Sequence, residues 1–145
     1  MEMSVLPEQL VAEWLREEVP AGAFSLRLVA AGSASELFVG YGVAIGRPDN
    51  YLAVLVSPTG YVSMTPAPGR DFRNQWHTWP HIKQSNNEIQ IDYRAENQLT
   101  IRINRELFWQ GEWVLGGQQI GLVAQGFEGE AVIDFQSLTL WGTEP

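Results

Sequence analysis

The feature that most constrains this chain is a strict two-residue alternation over residues 87–104. Ile89, Ile91 and Tyr93 share one parity while Glu88, Gln90 and Asp92 share the other. Leu99, Ile101 and Ile103 then alternate with Thr100, Arg102 and Asn104. Successive side chains of a strand point to opposite faces, so each run is a strand with one buried and one wet face. The polar breaks at Arg94–Asn97 and Asn104–Glu106 are short enough for hairpins, which makes the centre of the chain an antiparallel meander. It continues through Leu107-Phe108-Trp109 and, after a Gly-rich turn, through Ile120-Gly121-Leu122. Asn104 is followed by Arg105. Arginine disfavours positive φ, so a tight type I′ turn is not expected there.

The flanking segments extend the same pattern. Phe24, Leu26 and Leu28 alternate with Ser25 and Arg27, and Ala30–Glu36 reads as a small-residue turn. Leu37, Val39, Tyr41, Val43 and Ile45 form one face of a long strand; Gly40, Gly42 and Ala44 on its other face imply close approach of another sheet or a groove floor. Tyr51–Val56 is apolar on both faces, as a central strand is. Tyr61–Met64 returns, Thr65–Asn74 is loop, and Ile120–Gln125 and Ala131–Trp141 are strands around a loop at Gly126–Glu130. Residues 4–19 carry two readings. Leu6, Leu10, Val11, Trp14 and Leu15 lie at helical spacing behind Ser4 and Pro7, so the local pattern alone reads as a short amphipathic helix. Ten to twelve short strands predict an all-β fold, a two-sheet antiparallel jelly-roll sandwich. The expected organisation is one domain over 1–145, with residues 1–20 a strand or short helix and residues 23–141 the sandwich core.

Composition narrows the function. With 145 residues the chain buries a sizeable core without staples, and the absence of cysteine excludes disulfides and Cys-ligated metals. A net charge of -8, with only 9 Lys and Arg and no basic run, argues against nucleic acid and anionic membrane surfaces as partners. No apolar run reaches the roughly 18 residues of a membrane span, so no membrane insertion is expected. Met1–Glu8 lacks the features of a signal peptide, which favours a cytoplasmic location if Met1 is the natural start.

The motifs Asn97-x-Leu-x-Ile-x-Ile-Asn104, Leu107, Gly117-x-x-Ile-Gly-Leu122 and Val132-Ile-Asp-Phe-Gln-Ser-Leu-Thr-Leu140 resemble the second half of a laminin-G-like domain, a concanavalin A-like lectin/glucanase β-sandwich. Gly42–Tyr61 is similar to that family's central strand pair, so the resemblance covers roughly residues 23–141. It implies a carbohydrate- or protein-recognition module and, because such sandwiches usually begin with a strand, it gives residues 4–19 their second reading: a strand from about Val11 to Glu18, joined to the Phe24 strand by a hairpin connection at Val19–Ala23.

Candidate site residues follow. Trp76 and Trp79 flank His77, with His81 close by: indole faces stack on the apolar side of a pyranose and imidazole supplies hydrogen bonds, but packing explains tryptophans equally well. His77 and His81 are spaced as metal ligands only on a helix, and Pro80 intervenes. Trp113, beside a Gly-rich turn, is expected to be exposed, and Trp109 buried. Laminarinase-like relatives carry Glu-x-Asp-x-x-Glu on one strand; here Glu88, Asp92 and Glu96 are spaced by four and read as the solvated face of an outer strand. Asp49, Asn50 and Asp134 are the weak candidates for Ca²⁺, which some laminin-G-like domains bind, although calcium requires six to eight oxygens and turn chemistry explains Asp49-Asn50. No other cofactor is expected. The expected function is therefore non-catalytic recognition of a glycan or a protein partner through an aromatic-rich surface. The alternatives are a structural subunit of an oligomer or larger assembly, and a glycoside hydrolase-like enzyme.

Overall fold

The structure, a computed structural model, describes residues 1–5, 10–20, 22–32, 39–67, 76–126 and 131–142. The expected strand start at Leu37, most of the turn after Ala30, the loop from Pro68 to Asn74, the loop after Gly126 and the positions Leu6 and Pro7 lie outside these residues. Twelve strands form among the described residues: β1 (Glu2–Val5), β2 (Leu10–Glu18), β3 (Phe24–Gly32), β4 (Val39–Arg47), β5 (Asn50–Ser57), β6 (Tyr61–Ala67), β7 (Trp76–Thr78), β8 (Asn86–Arg94), β9 (Gln98–Ile103), β10 (Glu106–Glu112), β11 (Gln119–Gly126) and β12 (Ala131–Gly142). They make two antiparallel sheets of six. Sheet I runs β1-β12-β3-β8-β9-β10 and sheet II runs β2-β11-β4-β5-β6-β7.

Alternation decides which residues enter the sandwich. Sheet I contributes Leu26, Leu28, Ile89, Ile91, Leu99, Ile101 and Ile103, and sheet II contributes Tyr41, Val43, Ile45, Leu52, Val54, Val56 and Ile120. The second apolar face of β5 is buried too. Tyr51, Ala53 and Leu55 join Ala44 and Val123 in a separate cluster on the outer side of sheet II.

The structure decides or departs from the sequence reading at several places, the first being Thr65–Ala67, expected as loop, which continue β6. Of the two readings of residues 4–19, the described residues take the strand: β2 covers the expected Val11–Glu18 and pairs with β11, and β1 pairs with β12. The i, i+4 spacing of Val11 and Leu15 is also a multiple of two, so it serves a strand as well as a helix. The Val19–Ala23 connection does not close a hairpin but crosses from sheet II to sheet I, because β2 and β3 lie in different sheets. A short strand, β7, forms in the aromatic segment, adding to the edge of β6. Finally, the β9–β10 turn is tight after all. Glu106 pairs with Ile103, and Asn104 and Arg105 both take positive φ, 51° and 71°.

The last point has a visible cause in one buried amide cluster. Asn104 Oδ1 accepts the Glu88 N–H at 2.8 Å, while its Nδ2 donates to Asn87 Oδ1 and to the His81 carbonyl, each at 2.9 Å. The Asn104 N–H donates to the Glu88 carbonyl. These bonds hold Asn104 left-handed, and Arg105 must follow, at about 1–2 kcal/mol for a side chain in that region. Asn87, 1% exposed, saturates its own amide: Nδ2 donates to Tyr41 Oη at 2.8 Å and the Lys83 carbonyl at 2.9 Å, and Oδ1 also accepts the Lys83 N–H at 2.8 Å. The cluster therefore ties the start of β8 to the β9–β10 turn, the segment before β8 and, across the sandwich, β4.

Two outcomes are expected. Ile101→Ala, at a fully buried position, costs about 2–5 kcal/mol, whereas Thr100→Ala on the outer face costs about 1 kcal/mol or less; equal costs in urea melts would place Thr100 in a packed layer. Burial pushes the Tyr41 hydroxyl up to about 12, against hydrogen bonds from Asn87 that lower it. The unfolded chain then loses this proton first as pH rises above about 10, so the stabilisation is complete below pH 10 and is lost as pH rises toward about 12. Tyr41→Phe removes that part of the decline, read as the difference between the two proteins' denaturation midpoints across pH 9–12.

Candidate functional site

The outer face of sheet II is the place where small residues and large aromatics meet. Gly40, Gly42 and Ala44 on β4, with Ala53 and Leu55 on β5 and Val123 on β11, form a buried layer there. Trp76 springs from β7 at one edge of the sheet and its six-membered ring reaches Gly40 on β4: a Cβ there would stand 2.9 Å from the ring. Trp14 approaches from β2 at the opposite edge, where a Cβ on Gly121 would stand 3.2 Å from its indole, and meets Tyr51 edge to face at 5.3 Å. Both indoles are half-buried, so each presents part of its surface to solvent. Burial raises the Tyr51 hydroxyl above its usual pKa and keeps it protonated. Gln125 borders the same spot: a Cβ on Gly40 would stand 3.8 Å from the Gln125 Cβ. The Gln125 Oε1 is buried without a hydrogen-bond partner among the described residues. The face thus sets part-exposed tryptophans over a buried layer of small residues, and an indole surface of that kind suits a ring that is apolar on one side.

The residues that are neighbours in sequence do not share this face. In β7, Trp76 pairs with Ser63 and points outward, whereas His77 pairs with Val62, a core residue, and so lies on the other side of the strand, where it is exposed. Trp79 packs against the main core and meets Phe108 edge to face at 5.3 Å. Its N–H donates to the Gly60 carbonyl, so it closes the side of the sandwich between the edge strands β7 and β10. His81 is exposed and its Nδ1 pairs with Glu106 Oε1. Trp113, expected to be exposed, is half-buried: it packs on the core and on Trp109, with ring centroids 6.0 Å apart. Its N–H donates to the Asn97 carbonyl and its carbonyl accepts from Tyr93 Oη. Trp109, expected to be buried, is itself half-buried against the core; a bulge after Leu107 lets Phe108 and Trp109 both pack inward. Trp14 and Gln125 are not legible as site residues from the sequence, although the parity that puts Ala12 and Trp14 opposite Val11 and Leu15 carries the signal.

The carboxylates occupy the other sheet. Glu88 and Asp92 lie on the outer face of sheet I, four residues apart on β8, which puts their Cα atoms about 13 Å apart. Asp92 is not solvated: it is 8% exposed, accepts from Ser25 Oγ at 2.5 Å and from Arg102 Nη1 at 2.9 Å, and has Arg94 at 3.6 Å. Glu88 pairs with Arg27 at 3.0 Å. Glu96 sits at positive φ in the β8–β9 turn, away from both. The calcium candidates fall on different sheets. Asp49 lies in the β4–β5 turn, exposed beside Arg47 at 3.5 Å, with Asn50 opening β5, and Asp134 pairs with Glu2 in sheet I. Among the described residues no three of His, Cys, Asp and Glu are grouped to hold a metal ion.

No family model and no curated protein sequence matches the chain. Solved structures match its fold. The legume lectin-like domain from Entamoeba histolytica aligns over 97% of this chain and 84% of its own, with a TM-score of 0.67 at 15% identity. The carbohydrate recognition domain of Emp47p aligns over 99% and 89%, with a TM-score of 0.61 at 13% identity. An alginate lyase from Corynebacterium sp. aligns over 92% and 62%, with a TM-score of 0.60 at 12% identity, so lectin domains and at least one enzyme share the architecture. At these identities the likeness is one of fold, and the fold is a concanavalin A-like β-sandwich.

Proposed function

We propose that the protein is a non-catalytic carbohydrate-recognition module that takes its glycan on the outer face of sheet II, against the indole of Trp76. The observation that carries this reading is the Trp76 ring laid over Gly40 and half-buried, so that part of the residue faces solvent above a buried layer of small residues. The lectin-like and carbohydrate-recognition domains that share the fold support the same class of ligand. His77, on the opposite side of β7, contributes only from the strand's rim. Trp79, His81 and Trp113 act by holding the edge strands in place. The carboxylates Glu88 and Asp92, each held by arginines, supply no acid/base pair.

A panel of neutral oligosaccharides titrated against intrinsic tryptophan emission tests this. At least one member should bind saturably, and Trp76→Ala should weaken it about thirtyfold, the scale of a tryptophan hot spot at about 2 kcal/mol. Because Trp76 also packs on the sheet, Gly40→Ala is the cleaner variant. Its added methyl displaces the end of the ring, lowering affinity severalfold with the melting temperature close to that of the natural sequence. Affinity unchanged in both variants would overturn the site. Hydrolysis of a panel member would overturn the non-catalytic reading. A protein partner co-eluting through this face, with no glycan bound, would replace the ligand class.

A further inference from the structure

A polar cleft of about 340 Å³ lies on the other sheet, at the end where β8 begins. Val29 of β3, Asn86, Asn87 and Glu88 of β8, the Asn104-Arg105 turn and Lys83 line it. Its floor is rigid, since Asn87 and Asn104 spend their amides on each other and on surrounding backbone. Its rim carries charge. Lys83 is the chain's one lysine and makes no ion pair with a described residue. Arg105 is 85% exposed at its side chain and has only a long contact, 3.6 Å, to Glu88. Glu88, 15% exposed, is already paired with Arg27 at 3.0 Å. Two cations, Lys83 and Arg105, therefore line the cleft with one carboxylate that Arg27 already engages, a local surplus of one positive charge on a chain whose net charge is -8.

The second observation is conformational. Arg105 stands at φ 71° in the place where a two-residue turn ordinarily carries glycine. Strain of this kind persists where the side chain has a use. The guanidinium it delivers is the cleft's own wall.

The geometry points to a second binding site in this cleft, for a monosaccharide unit bearing a carboxylate. The carboxylate sits between Lys83 and Arg105, and the ring hydroxyls are within reach of Glu88 and of the Asn86 amide at the rim. The volume lies at the low end for small-ligand sites, which limits the occupant to about one sugar ring. The site is independent of the Trp76 face, which belongs to the other sheet.

The test is an NMR titration of the full chain with D-glucuronate, D-glucose and acetate, following the amides of residues 83–88 and 104–105. Glucuronate should shift them saturably, with an affinity that falls as salt rises; glucose and acetate should each bind at least tenfold more weakly. Lys83→Gln and Arg105→Gly should each weaken glucuronate at least fivefold, and the double variant should show no saturation. Arg105→Gly also relieves the turn and raises the melting temperature by about 1–3 °C, so its loss of binding is not a loss of fold. Trp76→Ala should leave glucuronate binding unchanged, which separates failure here from failure at the sheet II face. Equal binding of acetate and glucuronate, or unchanged affinity in both single variants, would overturn the proposal.

Discussion

The buried amide of Asn87 is the contact on which the architecture turns. Apolar alternation brings two sheets together but leaves their relative position along the strands loosely specified, since one isoleucine layer slides over another at little cost. A hydrogen bond does not tolerate such sliding. By donating to Tyr41 across the sandwich and pairing with Asn104 in the neighbouring turn, Asn87 fixes β8 against β4 and sets the β9–β10 turn. Every donor and acceptor of its side chain is used, so the buried polarity specifies one arrangement instead of destabilising all of them.

Strand parity makes the sandwich legible in the sequence because the inward residues of β3 and β9, and those of β8 after Asn87, are apolar and most outward ones are polar. The same reasoning finds the small face of β4 and the two-sided burial of β5. It fails where partners remote in sequence decide the outcome. A left-handed Arg105 is unfavourable locally and is enforced by Asn104, Glu88 and His81, none of which a turn rule consults. Asp92 reads as a wet residue by alternation, yet Ser25 and Arg102 of the two adjacent strands enclose it. Spacing by four cannot separate helix from strand in β2, because both repeats accommodate it.

The candidate site shows the same limit more sharply. Trp76, His77, Trp79 and His81 lie within six residues, and a cluster in sequence invites one role for all. The strand sends Trp76 and His77 to opposite sides, and Trp79 closes the open side of the sandwich against Phe108. The residue that faces Trp76 across sheet II is Trp14, 62 positions earlier. Adjacency on a sheet is created by strand order, which single-sequence pattern reading does not supply.

That strand order also bears on how the chain reaches its fold. The last two strands do not add to the edges of finished sheets. β11 inserts between β2 and β4, and β12 between β1 and β3. During synthesis from the N-terminus, β3 and β4 therefore each wait with an unpaired edge until the final quarter of the chain emerges, and both sheets complete almost together. Nascent chains that stop before β11 expose two adhesive edges, and closure by β11 and β12 makes folding of the sandwich wait for both strands, with the slow kinetics of long-range pairing.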